Sequence, residues 1–90
     1  MKWSVDKGFS NRKFRYYIAL EKINNQIWEY LYFDTEIAKY LGISVKQYQE
    51  ELKKFGAYNY RGMLFRNKND AEKALEFLKE KYSLISELIK

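Results

Sequence analysis

The sequence predicts an α+β domain built on a three-stranded antiparallel sheet, in the order ββααβα. Three observations lead there. Two segments rich in aromatic and branched residues, 14–23 and 26–33, flank an Asn-Asn pair. Capped, helix-periodic stripes follow over 34–55 and 69–89, and a third strand-like segment, 58–66, separates them.

In the first pair, Asn24-Asn25 suits a two-residue turn because Asn tolerates positive φ. That turn would set Ile18 opposite Leu31 and Tyr16 opposite Phe33. One face of the hairpin then carries Phe14, Tyr16, Ile18, Leu20, Ile27, Leu31 and Phe33, the expected core face. The other carries Arg15, Tyr17, Ala19, Glu21, Trp28, Tyr30 and Tyr32. Asp34 or Thr35 can cap a first helix through Ile37, Ala38 and Leu41, with Gly42 ending it. Ser44-Val45-Lys46-Gln47 fits a capping box for a second helix, whose stripe is Val45, Tyr48, Leu52 and Phe55 before Gly56. Residues 58–66 read as the third strand, with a bulge expected at Gly62. Asn69-Asp70-Ala71-Glu72 offers a cap for a long C-terminal amphipathic helix, with Ala71, Leu75, Leu78, Tyr82, Ile85 and Ile89 at helical spacing. Residues 1–12 read as a polar, flexible leader to a single domain spanning 1–90.

Ninety residues with 47% hydrophobic and 19% aromatic content can bury one core, and the chain is expected to fold alone or as a small oligomer such as a homodimer. There is no Cys and no His, which removes thiolate and imidazole metal ligands, disulfides and the usual general base. The acids sit in caps and at exposed helical positions, and the glycines at 8, 42, 56 and 62 form no phosphate-binding loop. No catalytic residues, metal site or cofactor are expected. No apolar run suits a membrane span and the N-terminal residues do not read as a signal peptide, so a cytoplasmic protein without a membrane partner is expected.

Lys and Arg number 17 against 12 acids, a net charge of +5. The excess is clustered: Lys2, Lys7, Arg12, Lys13 and Arg15 face only Asp6 in the first fifteen residues, and Arg61, Arg66 and Lys68 face no acid over 56–68. Such clustering favours an anionic partner.

Within residues 34–54, Ala38, Leu41, Gly42 and Ile43 occupy the places where a helix-turn-helix needs a small crossing residue, a turn glycine and flanking apolar residues. The segment resembles that motif. The resemblance implies a second helix offering Ser44, Lys46, Gln47, Gln49 and Lys53 to nucleic acid, with Arg12, Lys13, Arg15, Arg61 and Arg66 as basic support. Two departures stand out: Glu51 occupies a place that is usually apolar, and four acids balance four lysines over the segment. The same pattern also serves as a tight helical hairpin packed on a sheet.

Tyr17, Trp28, Tyr30 and Tyr32 form a second candidate site. An open face of these rings could stack bases or anchor a protein partner, whereas a covered face would make them core. The Lys-, Tyr- and Ile-rich composition resembles small phage or mobile-element proteins of AT-rich Gram-positive bacteria, which include transcriptional regulators and anti-CRISPR inhibitors. The partner expected first is nucleic acid. The alternative is a host protein or nucleoprotein complex that the chain inhibits.

Overall fold

The computed structural model describes residues 2–8, 15–59 and 62–89, through the backbone alone at residue 24 and over 83–89. Three strands, β1 (Lys2–Gly8), β2 (Arg15–Asn24) and β3 (Ile27–Leu31), form an antiparallel sheet in the order β1-β2-β3. Helices α1 (Asp34–Leu41) and α2 (Val45–Lys53) follow, then two short strands, β4 (Tyr58–Asn59) and β5 (Met63–Leu64), and the long helix α3 (Lys68–Ile89). The α+β class, the two central helices and the C-terminal helix are those expected.

The sheet's third strand comes from a different place. Residues 2–8, read as a leader, pair with β2 from Lys2↔Glu21 to Gly8↔Arg15. Charged residues at 2, 6 and 7 mask the signal, but Trp3 and Val5 alternate with them and turn inward against the core. Segment 58–66 instead makes the small β4-β5 pair, and among its described residues it is bridged to the main sheet at an antiparallel Tyr16↔Phe65 pair held by backbone bonds of 2.9 and 2.8 Å. Tyr16 also pairs with Lys7 of β1, so Phe65 lies on the side of β2 that β3 occupies further along. Gly62, at φ 124°, belongs to the β4-β5 connection.

The hairpin turn is one residue later than expected. Asn25 and Gln26 have φ of 52° and 68°, the primed-turn conformation that matches strand twist. Pairing is therefore Ile23↔Trp28 and Leu20↔Leu31, in place of Ile18 opposite Leu31. Because moving the turn by one shifts the pairing sum by two, every side chain keeps its expected face.

Helix starts follow local side chains. Ser44 Oγ accepts the Gln47 N–H at 3.1 Å, as its capping box requires. Phe33 rather than Asp34 or Thr35 is the N-cap of α1, without a side-chain bond. Asn67 Oδ1 accepts the Asp70 N–H at 2.8 Å, so α3 is capped two residues before the expected Asn69 and begins at Lys68. Gly42 ends α1 at φ 76°.

One core joins these elements. Ile18 from the sheet, Ile37 and Ala38 from α1, Tyr48 and Leu52 from α2, Met63 and Phe65, and Ala71, Ala74, Leu75, Leu78 and Tyr82 from α3 are all buried. Helix α3 packs across β1 and β2, so the helices cover one face of the sheet.

Candidate interaction site

The opposite face of the sheet carries Lys2, Ser4 and Asp6 from β1, Arg15, Tyr17, Ala19, Glu21 and Ile23 from β2, and Trp28 and Tyr30 from β3, as strand alternation and the two registers dictate. Its aromatic residues on and beside β3 are open, whereas Tyr17 of β2 is half-buried. Trp28 is 62% exposed, and Tyr30, Tyr32 and Phe33 are exposed beside it. The expectation that these rings would be core if covered does not apply to them. Ala19 is fully buried on the same face, so larger neighbours form the surface above it.

The rings form a connected array. Tyr32 lies 5.9 Å from Tyr17, 5.7 Å from Tyr30 and 4.5 Å from Phe33 between centroids, all tilted. Tyr30 donates its hydroxyl to the Asp6 carboxylate and lies 3.0 Å from the Tyr17 hydroxyl. Desolvation first, then the bonds to Asp6 and Tyr17, pushes the Tyr30 hydroxyl well above the usual tyrosine pKa, so it remains a neutral donor. Asp6 therefore fixes the Tyr30 ring on the surface, a role hidden while residues 1–12 read as a leader.

Ile23 extends the apolar part of this face, and two further apolar residues are exposed at the ends of β3. Ile23 sits directly across from Trp28 and is 58% exposed. Ile27 and Phe33 were expected in the core, yet Ile27 is 67% exposed and Phe33 is also exposed. Their positions explain this. Beyond Glu21, β2 pairs with β3 alone, so Ile27 stands on a hairpin end that extends past the described part of β1. Phe33 caps α1 at the other end of β3.

The helix-turn-helix residues are arranged locally as the motif requires. The Ile43 N–H donates to the Ala38 carbonyl at 3.0 Å, and the Gly42 N–H to the Lys39 carbonyl at 3.2 Å. Ser44, Lys46, Gln47 and Lys53 are exposed, whereas Gln49 is half-buried and donates its side-chain amide to Asp34. Ser44 Oγ is engaged by its cap. Glu51 proves to be 4% exposed, with its carboxylate accepting from Lys81 and from the Tyr82 hydroxyl at 2.9 and 3.0 Å. Burial alone would raise its pKa, but the bonds from Lys81 and Tyr82 overcome that and hold the carboxyl below its ordinary value. An acid at an apolar position is thus explained by a partner on α3, which sequence spacing does not reveal.

Of the basic support, Arg12, Lys13 and Arg61 lie outside the described residues. The Tyr16↔Phe65 bridge places Arg15 and Arg66 at opposing backbone positions. Arg15 is half-buried, and the exposed Arg66 lies 5.8 Å from the Tyr58 ring. The sheet therefore brings together two of the five, away from α2 in sequence.

An open groove of about 410 Å³ lies between the hairpin and α1, lined by Lys22, Glu29, Leu31, Glu36, Lys39 and Tyr40. Lys22 is 3.7 Å from Glu29 and 5.4 Å from the Tyr40 ring, so its charge is compensated within the groove wall. No described helix is long and apolar enough to cross a membrane. Comparison with protein families, with curated proteins and with solved structures finds no match to this chain.

Proposed function

We infer that this chain is a non-enzymatic binding module that docks a protein partner, as an inhibitor or adaptor would, on the outer face of its sheet. The observation that carries this reading is the exposure of Trp28, Tyr30 and Tyr32 on one continuous strand face, with Ile23 across from Trp28. Tyr and Trp held on a rigid sheet supply contact area at small entropic cost, and they are the residues that dominate interface energetics. Charge separates a protein partner from single-stranded nucleic acid. Among the described residues of that face, Lys2 and Arg15 are balanced by Asp6 and Glu21, whereas a base-stacking platform works inside a positive groove.

The test is affinity capture from host lysate, with and without nuclease, using the native chain and Trp28→Ala. Nuclease-resistant capture, weakened by ~2 kcal/mol or more in Trp28→Ala at unchanged melting temperature, is expected. Capture that disappears with nuclease, or that Trp28→Ala leaves intact, would overturn it.

One observation favours a second reading, nucleic-acid binding through α2. With Glu51 turned into the core, the exposed charges of α2 and its C-cap are Lys46, Lys53 and Lys54 against Glu50. The surface offered to phosphates is then positive, although the segment as a whole is neutral. On this reading Lys46→Ala weakens binding to all sequences and lowers the salt slope by about one. Gln47→Ala reduces discrimination between sequences, by ~1–3 kcal/mol for a lost base contact.

A further inference from the structure

The two edges of the sheet are protected very differently. Strand β1 carries Lys2, Asp6, Lys7 and Gly8, the charges and glycine with which natural edges discourage pairing. Strand β3 reads Ile27-Trp28-Glu29-Tyr30-Leu31, with no lysine or proline, and its one charge lies 3.7 Å from Lys22 of the adjacent strand. No other described strand pairs with its outer edge. Among the described residues, five of the six exposed large hydrophobics, Ile27, Trp28, Tyr30, Tyr32 and Phe33, lie on β3 or within two residues of it. An apolar edge left open in this way is a template for another strand.

We propose that a second copy of this chain occupies that edge, pairing β3 with β3 about a two-fold axis to make one continuous six-stranded antiparallel sheet. Main-chain geometry selects which residues take part. A two-residue turn closes through the Asn24–Ile27 pair, so Ile27, Glu29 and Leu31 direct their N–H and C=O groups towards β2. Trp28 and Tyr30 direct theirs outward. A two-fold pairing that keeps the faces aligned can centre on Trp28, Glu29 or Tyr30, and centring on Trp28 leaves Tyr30 opposite Gln26 and Ile27 opposite Glu29, without apolar mates. Centring on Glu29 sets two carboxylates directly opposite, which is repulsive.

Centring on Tyr30 gives a hydrogen-bonded Tyr30–Tyr30 pair and sets Trp28 opposite the second copy's Tyr32 on the outer face. On the inner face Ile27 meets Phe33, whose backbone is extended at φ −74° and ψ 144°. Every exposed hydrophobic of the edge therefore finds an apolar mate, and no like charges meet. The five exposed side chains on or beside β3 present at most roughly 500 Å² at the 150–250 Å² typical of a large aromatic. That matches the apolar share of the ~800 Å² per partner of a standard interface. In the dimer the two outer faces lie side by side, and the surface of Trp28, Tyr30 and Tyr32 that the second copy leaves uncovered forms one platform across both. The dimer deepens the proposed protein-binding reading without requiring it.

The absence of cysteine from the chain makes the register directly testable. Opposed residues of a hydrogen-bonded pair stand about 5.5 Å apart between Cα atoms, within disulfide range. Sedimentation of the native protein at high micromolar concentration should give the dimer. Tyr30→Cys should cross-link to itself under mild oxidation at least about tenfold faster than Glu29→Cys, a margin of ~1.4 kcal/mol in barrier. Ile27→Lys, at an exposed position, should raise the dimer dissociation constant at least about tenfold while leaving the far-ultraviolet spectrum unchanged. A native chain that stays monomeric, or one that pairs only with a foreign strand, would overturn the proposal, as would equal cross-linking at both positions. Lysate capture separates this from the protein-binding reading: a monomer whose capture depends on Trp28 sinks the dimer alone, and a dimer that captures nothing sinks only the protein-binding reading.

Discussion

At the scale of single residues, burial distinguishes side chains that hold the fold from those available for contact, even where the sequence places them in one pattern. Leu78 and Trp28 illustrate the two cases. Leu78 is fully buried in the core under the sheet, so Leu78→Ala should cost ~2–5 kcal/mol in chemical denaturation, through lost transfer energy and the cavity left behind. Trp28 projects from the far side, and Trp28→Ala should stay within ~0.5 kcal/mol of the native chain at concentrations too low for self-association, while affecting binding. A loss of several kcal/mol at Trp28 would show that something covers it in solution. Strand alternation predicts that these tyrosines and Trp28 share a face, and they do. Whether that face is open depends on where the helices pack, which no local spacing contains. Ile27 and Phe33 show the same limit from the other side: their face is correctly assigned, but they stand at the two ends of β3, one of them past the described part of β1.

At the scale of elements, the signals that proved most legible are those carried by contiguous residues. Ser44-Val45-Lys46-Gln47 and Gly42 locate the α1–α2 turn because a cap and a left-handed residue act within a few positions. The hairpin is legible as an element but its turn is not. Asn24-Asn25 looks the better pair, yet the chain turns at Asn25-Gln26 and places Gln26 at φ 68°. A non-glycine residue in that conformation costs roughly 1–2 kcal/mol, so Gln26→Gly should raise stability by up to ~1 kcal/mol after its own entropic cost. At ~1 kcal/mol this is an increase of about 4–8 °C in thermal melts for a domain of this size, and a lowered midpoint would exclude the primed turn. The tie between α2 and α3 is the least legible. Glu51, Lys81 and Tyr82 lie 30 and 31 residues apart in pairs. Because the folded carboxyl of Glu51 titrates below its ordinary value, its contribution is fully present above the ordinary carboxylate range and is lost as pH falls through the depressed value. Acid titration of stability should therefore show a limb below about pH 4.5 that flattens in Glu51→Gln. An identical limb in the variant would assign the acid loss to other carboxylates.

At the scale of the whole molecule, the fold class follows from the sequence while the strand that completes the sheet does not, for a reason that is itself energetic. Residues 58–66 are the more apolar candidate, but their chain is committed at one end to α2 and at the other to α3, and among the described residues only Phe65 pairs with β2. Residues 2–8 have the weaker local signal, yet they can lie along β2 for seven paired positions. Length of pairing outweighs local hydrophobicity, since each added pair brings both ladder bonds and a cross-strand contact. The consequence is that a segment which reads as dispensable is structural. Without β1, the main sheet is reduced to the β2–β3 hairpin with its single bridge to Phe65, and Trp3 and Val5 no longer pack against the core beside α3. Two strands are marginal in water, and a domain of this size holds only about 5–15 kcal/mol in total. Removing residues 1–8 should therefore abolish cooperative thermal unfolding. A milder variant, Val5→Asp, should lower the melting temperature by several degrees or more by placing a charge on the packed face, whereas Ser4→Asp on the open face should leave it nearly unchanged. A truncated chain that still melts cooperatively near the native midpoint would return residues 2–8 to the role of a leader and leave β2 without the partner on which the exposed aromatic face depends.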